Sequence, residues 1–418
     1  MSNKEERKAP VLRFKGFTDD WEQRKLGDIA KRVIRKNKEN DILPVLTNSA
    51  DLGIVLQNDY FDKAIAKNLN NYYMVSHNDF VYNPRISKKA PFGPINRNKL
   101  NIQGVMSPLY LVFRFNSEMD LNFLEYYFQS SKWHPFMYKN GDSGARADRF
   151  AIKNSVLMNM TINVPTLDQQ KRIGKILLLL ENSIALQQRK LDQLKQLKKA
   201  YLSDLFSIKN KPQIRFKGFK GKWKKSKLLD NVSNIIDFRG KTPKKLGMDW
   251  SDQGILALSA LNVKDSFIDK SIHAHYGDIK LYNKWMAGNK LHKGQVLFTT
   301  EAPMGNVAQV PDNDKYILSQ RTIAFNVNKD KISDSFLAML LQTTTVHNQL
   351  LSLSSGGTAK GVSQKSLSGL SVVIPLSLEE QRKMEMAFKY INHLIHFQQD
   401  KIRYLEENKQ FLLQNMFI

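Results

Sequence analysis

The chain has 418 residues, more than one hydrophobic core usually organises, so at least two domains are expected, and an apolar content of 42% suffices for ordinary folded cores. Lys and Arg number 64 against 39 Asp and Glu, a net charge of +25 that exceeds what solubility needs and points to a polyanionic partner, nucleic acid first. With no cysteine there are no disulfides, thiolate metal sites or cysteine nucleophiles, which fits a reducing cytoplasm. The charged residues 1–10 make no signal peptide, and the apolar stretch 173–180 falls well short of the ~20 residues of a membrane span.

The first element is an opening segment, Pro10-Val-Leu-Arg-Phe-Lys-Gly-Phe17 followed by Trp21. It returns as Pro212-Gln-Ile-Arg-Phe-Lys-Gly-Phe219 followed by Trp223, and the offset of 202 continues through Leu26 and Leu228, Asp28 and Asp230, and Val33 and Ile235. The chain is therefore an internal duplication. Next comes a block of mixed pattern, 34–158, with a β-rich run at 105–115 and a helical stretch at 121–129. Within it, Asn83-Pro84-Arg85 opens like the Asn-Pro-Pro-aromatic motif with which amino-methyltransferases hold a flipped base. The second proline and the aromatic are missing, and the chain has no glycine-rich cofactor motif, so a methyltransferase is not encoded. Asn83 and Arg85, with Lys88, Lys89 and the glycine-bearing stretch that holds Arg146 and Arg149, are instead candidates for DNA contact.

Pro165-Thr-Leu-Asp-Gln-Gln170 then closes a strand-like run and opens a helix of about 39 residues, ~58 Å long at 1.5 Å per residue. Its apolar seam alternates by four and three: Ile173, Leu177, Leu180, Ile184, Gln187, Leu191, Leu194, Lys198, Tyr201 and Leu205. The second opening segment follows, with eight Lys or Arg and no acid over 211–227, interleaved with Phe216, Phe219 and Trp223; it is read either as a phosphate contact or as a solvated connector.

In the second block, 236–369, Gly240-Lys241-Thr242 ends like a phosphate loop, but Ile235 stands where the leading glycine belongs, and the segment reads as a basic turn. Arg239, Lys241, Gln320, Arg321, Lys360, Ser363, Gln364 and Lys365 are the DNA candidates there, the glycine-rich stretch 354–365 being the strongest. His273 with His275, and His393 with His396, lack a third ligand, so no metal site is expected. Pro375-Leu-Ser-Leu-Glu-Glu-Gln381 opens a second long helix, in which Glu379 and Glu380 read as dipole partners at the helix start.

Adding 211 to the first seam gives Met384, Phe388, Ile391, Ile395, Gln398, Ile402, Leu405, Lys409, Leu412 and Met416. A lone heptad pattern describes an ordinary surface helix equally well. Two seams with the same polar interruptions are better explained by the helices pairing with each other, Gln and Lys marking the register.

Arg13-Phe-Lys-Gly-Phe17 with Trp21 and Leu26-Gly-Asp28, their duplicate from Arg215, the Pro-x-x-x-acid-Gln helix openings and the stretch from Gly356 to Leu367 resemble the specificity subunit of type I restriction-modification enzymes over essentially the whole length. Leu229 in place of a glycine such as Gly27, and Glu379-Glu380-Gln381 in place of Asp168-Gln169-Gln170, are modest departures.

The resemblance implies a mixed α+β fold. Two pseudo-symmetric target-recognition domains, 1–165 and 209–375, are separated by two long antiparallel coiled-coil helices, 166–208 and 376–418. It implies a non-catalytic chain whose domains each read half of an asymmetric, interrupted double-stranded DNA site. No cofactor is expected on this chain: two modification subunits would bring S-adenosylmethionine for adenine methylation, and restriction subunits ATP and Mg for translocation and cleavage. A stand-alone DNA-binding regulator with a duplicated fold, or an RNA-binding scaffold, would share the missing catalytic motifs but leaves the matched helices without a role.

Overall fold

The computed structural model describes residues 9–38, 43–61, 69–142, 148–206, 212, 214–272, 275–355 and 360–418. The chain forms two units, residues 1–188 with 401–418 and residues 189–400, so that each long helix begins in one unit and ends in the other. The first unit runs β1 (Glu22–Lys25), α1 (Leu26–Ile29), β2 (Ala30–Arg32), β3 (Leu46–Ser49), β4 (Gly53–Leu56), α2 (Gln57–Tyr60), β5 (Tyr73–Val75), β6 (Phe80–Tyr82), β7 (Ile95–Arg97), β8 (Gly104–Met106), β9 (Leu111–Phe115), α3 (Leu121–Gln129), α4 (His134–Asn140), α5 (Asn154–Met158) and β10 (Thr161–Val164) into α6 (Leu167–Leu205). The second runs β11 (Trp223–Lys227), β12 (Val232–Asp237), β13 (Ile255–Leu258), β14 (Tyr276–Gly277), α7 (Ile279–Met286), β15 (Val296–Thr299), β16 (Val307–Gln309), β17 (Ile317–Leu318), β18 (Thr322–Val327), α8 (Asp334–Leu341), α9 (Thr344–Leu353), α10 (Gln364–Gly369) and β19 (Ser371–Pro375) into α11 (Leu378–Asn415).

The two blocks that share little sequence share a sheet. Antiparallel order β2-β9-β6-β7 in the first unit matches β12-β18-β15-β16 in the second. The register matches too: Phe80 lies between Phe113 and Arg97, and Val296 between Phe325 and Gln309. Strand alternation explains why this survives sequence divergence. Phe80, Phe113 and Phe115 face one core with Phe123 and Phe128 of α3, whereas Val81 and Val112 face a second cluster with Leu46 and Met106. Val296, Phe298, Ile323 and Phe325 divide from Leu297 and Ala324 in the same way. The β-rich run at 105–115 forms two strands, β8 and β9, parted by a turn in which Tyr110 N donates to Ser107 O at 3.0 Å, since Pro108 has no N–H for a ladder.

Each unit closes where its two repeated motifs meet. β1 pairs with β10, and β11 with β19, so the opening segment is joined to the strand that precedes the long helix. Trp21 and Trp223 are buried in the two main cores. Glu380 does more than favour the dipole of α11: it is 2% exposed and accepts from Arg215 Nε at 2.7 Å and Arg215 Nη2 at 2.8 Å.

The helices run antiparallel. In the first unit Ile173 and Leu177, near the start of α6, share a core with Leu413 and Met416 at the end of α11. In the second unit Leu202 and Leu205 share one with Met384 and Phe388, and Tyr201 Oη donates to Met384 O at 3.0 Å. Along the predicted seams, Leu177, Leu191, Phe388, Ile391 and Ile402 are buried, and Leu180, Ile184, Leu194, Ile395 and Leu405 half-buried. The two lysines differ from simple register markers. Lys409 Nζ lies 3.9 Å from Glu181 Oε1 of α6, but the ammonium of Lys198 is bonded to the loops of its own unit.

Candidate nucleic-acid interface

In the first unit the chain leaves β6 at Tyr82 and turns through Asn83-Pro84-Arg85. Asn83 is 6% exposed; its Nδ2 donates to Asn48 O at 2.8 Å and its Oδ1 accepts from Arg85 N at 3.0 Å. Asn48 Nδ2 donates to Val81 O at 2.7 Å, and Asn96 Nδ2 to Asn48 Oδ1 at 2.7 Å. Three amides thus hold β3, β6 and β7 together beneath the loop, since an unmade bond at such depth would cost about 1–3 kcal/mol. The Asn83 amide is thus bonded inside the fold, where it supports the loop. Gly93 fits under the same turn at φ +82, where a Cβ would stand 2.0 Å from Asn83 O.

Above that foundation the basic residues converge. Arg85 forms a backbone bridge with Arg149, Phe150 N donates to Pro84 O at 2.8 Å, and Ile86 N donates to Asp148 O at 3.1 Å. Arg85, Lys88 and Lys89 are exposed, Lys89 pairing with Asp51 of the β3–β4 turn at 2.5 Å. Arg146 lies outside the described residues.

The second unit stitches four loops together. Asp237, at the end of β12, accepts from Arg239 Nε at 2.8 Å and from Gln364 Nε2 at 2.9 Å, while Arg239 Nη1 donates to Val362 O at 3.1 Å. Burial works against this carboxylate, yet the bonds from the Arg239 side chain and backbone and from Gln364 hold it below the usual carboxylate range. Gln320 Nε2 donates to Lys241 O, and Lys241 Nζ donates to Trp285 O at 3.2 Å. Thr300 N donates to Arg321 O at 2.8 Å, Val362 N to Thr300 O at 2.9 Å, and Arg321 Nε lies 3.0 Å from Glu301 Oε1. Lys360, Gln364 and Lys365 are exposed on this cluster. The Ser363 hydroxyl caps α10 by accepting from Ser366 N at 3.0 Å, so it shapes the loop.

The bond from Val362 N to Thr300 O occupies the same place in its sheet as that from Phe150 N to Pro84 O, so both units tie their returning loop to the strand end alike. Asn48, Asn96, Asp237 and Glu301 were not legible as site residues. Each acts through a partner distant in sequence, and none belongs to a motif. Of the second opening segment, Lys220, Lys222, Lys224 and Lys225 are exposed while Phe216 and Trp223 pack on the core.

A model of the type I restriction modification DNA specificity domain matches residues 18–196 and again 201–407. The chain belongs to this family. As a type I specificity subunit its task is recognition of DNA sequence, and the stand-alone regulator is not favoured. It is 25% identical over 423 aligned residues to the type I restriction enzyme MjaVIII specificity subunit of Methanocaldococcus jannaschii, covering 94% of this chain and 91% of that one. It is 23% identical to the putative MjaX specificity subunit of the same organism, over 63% of this chain and 60% of the relative. Among solved structures, a type I restriction-modification S subunit from M. genitalium shares the fold, with TM-score 0.60, 13% identity and coverage of 98% and 99%. A chain from a study of complex assembly and conformational transition of the type I system gives 0.56, 14%, and 95% and 97%. Among the described residues of this specificity subunit, no helix is long and apolar enough to cross a membrane, and no group of three or more His, Cys, Asp or Glu could hold a metal.

Proposed function

We propose that this specificity subunit reads an interrupted, asymmetric DNA site, one loop cluster per half-site, and holds two modification subunits and the restriction subunits of a type I complex around it. The observation that carries this reading is the pair of loop clusters on equivalent sheets with different side chains. Arg85, Lys88, Lys89 and Arg149 crown one, and Arg239, Arg321, Lys360, Gln364 and Lys365 the other. Equivalent frames supply equivalent approach to a groove, and unlike donors supply unlike half-sites.

Partner docking is supported by a second repeated feature. On α6, Leu179 and Leu186 are exposed, and on α11 the residues 211 further on, Tyr390 and Phe397, are exposed as well. A repeated apolar face suits two copies of one partner. Those partners would bring S-adenosylmethionine, and the restriction subunits ATP and Mg; the complex would work in the cytoplasm. The paired helices would act as a ruler that sets the number of base pairs between half-sites. The test is methylome sequencing of cells carrying the intact chain or a chimaera with residues 34–158 exchanged. One half-site should change and the other stay; a change in both or neither overturns independent reading.

A further inference from the structure

The Lys198 ammonium has an unusual setting for a residue on a long, largely exposed helix. Its side chain is 14% exposed. Nζ donates to Ser266 Oγ and to Gln342 Oε1, both at 2.8 Å, lies 3.5 Å from Asp265 Oδ2, and stands 5.1 Å from the centroid of the Phe388 ring. The acceptors are held in place by contacts of their own. Gln342 Nε2 donates to Ala338 O at 3.1 Å, which turns Oε1 outward, and Ser266 Oγ lies 2.8 Å from the same Oε1. Ser266 sits at φ +74 with its N–H bonded to Val307 O at 2.7 Å, so β16 keeps the turn in a left-handed conformation that serine adopts only when fixed by its surroundings.

We propose that Lys198 is a positioning residue that fixes the 264–267 turn and α8 to the last third of α6, and so sets the height and angle at which the second reader meets DNA. The apolar contacts nearby, Leu202, Leu205 and Phe206 in the core, are non-directional and tolerate sliding. Hydrogen bonds from one ammonium to preset oxygens do not. Burial pushes the Lys198 pKa down, countered by Asp265, so the lysine is a costly way to hold the helix where an apolar residue would pack. Geometric specification is the gain that such a residue supplies. Lys409, at the matching heptad position, is placed differently: it lies 3.9 Å from Glu181 Oε1 of α6 and 5.5 Å from the centroid of the Tyr126 ring of α3.

The inference rests on the helices acting as a ruler, and the experiment separates the two. The full chain is produced with its modification subunits as wild type, Lys198→Met, Ser266→Ala with Gln342→Leu, and with four residues inserted between Gln196 and Leu197. Methylome sequencing reads the half-sites and the spacer of each. Lys198→Met should leave every half-site base unchanged while preference for the native spacer over one longer or shorter by a base pair falls about tenfold, the equivalent of one or two lost hydrogen bonds. The acceptor double variant should do the same, and it decides the matter if Lys198→Met does not fold. The insertion adds ~6 Å of rise and about 40° beyond a full turn, and should lengthen the spacer by one base pair. A longer spacer in the insertion variant with unrelaxed spacers in the other two overturns Lys198 alone. An unchanged spacer in all three overturns the ruler and the inference with it. Relaxed spacers without a response to insertion uphold Lys198 and overturn the ruler.

Discussion

The two opening segments share Arg-Phe-Lys-Gly-Phe and a tryptophan, but they are anchored differently. Arg215 and Trp223 converge on one carboxylate, Glu380, the third residue of α11, with Trp223 Nε1 donating at 3.3 Å. The third residue of α6 is Gln169, and there Arg13 Nε, Trp21 Nε1 and Gln169 Nε2 are buried without a partner among the described residues. Five residues further along the helices the difference reverses. In the first unit the carboxylate belongs to the cap of α3, Asp120, packed on Gly174; in the second the cap of α8 is Ser333, whose hydroxyl donates to Glu385 of α11. A duplicated frame can therefore keep its backbone while the polar partner moves from one side of a contact to the other.

The largest expected effect breaks the complete network. Glu380→Ala leaves Arg215 and Trp223 without their acceptor and should cost ~3–5 kcal/mol of second-unit stability. Gln169→Glu, supplying the matching carboxylate, should stabilise the first unit by about 1–2 kcal/mol. Calorimetric unfolding of the three chains checks both; a Gln169→Glu chain no more stable than wild type would show that the two anchors are not equivalent.

The cap exchange tests the second contrast. A Cβ at Gly174 would stand 2.6 Å from Asp120 Oδ1 and 2.8 Å from Phe123 N, so Gly174→Glu should cost ~1–3 kcal/mol. Adding Asp120→Ser reproduces the pairing of Ser333 with Glu385 and should recover about 1 kcal/mol of that loss. Purely additive effects in a double-mutant cycle would argue against the exchange.

The smallest effect separates the loop clusters. Asp237 has a lowered folded pKa, so its contribution is present above the ordinary carboxylate value of ~3.9 and is lost as pH falls through the lower folded one. Asp237→Asn should be less stable than wild type by at most about 1 kcal/mol at pH 7, with the gap closing below about pH 4. The first cluster, built on the neutral amides of Asn48, Asn83 and Asn96, should give no such convergence in Asn48→Ala, whose deficit against wild type should stay constant in thermal unfolding over the same range.

Duplication, the matched heptads and the absence of catalytic motifs were legible because each is a pattern along the chain. Repetition at an offset of 202 marks the two frames, and the 211 offset places Leu177 and Phe388 in their seams. Loop composition also singles out Arg85, Arg239 and Gln364 as candidates. It could not show that Asn83 faces inward, because the burial of a polar side chain depends on partners such as Asn48, whose proximity is created by the sheet.

Sequence by itself thus determined the repeated frame, the helical seams and the polyanionic partner class, since helix periodicity and net charge are properties of neighbouring residues and of sums. Tertiary structure alone decided that the two dissimilar blocks share one sheet order, that Asp237 joins Arg239 to Gln364, and that Lys198 bonds to Ser266 and Gln342. Hydrogen bonds act over about 3 Å in space and are indifferent to the number of residues between the partners.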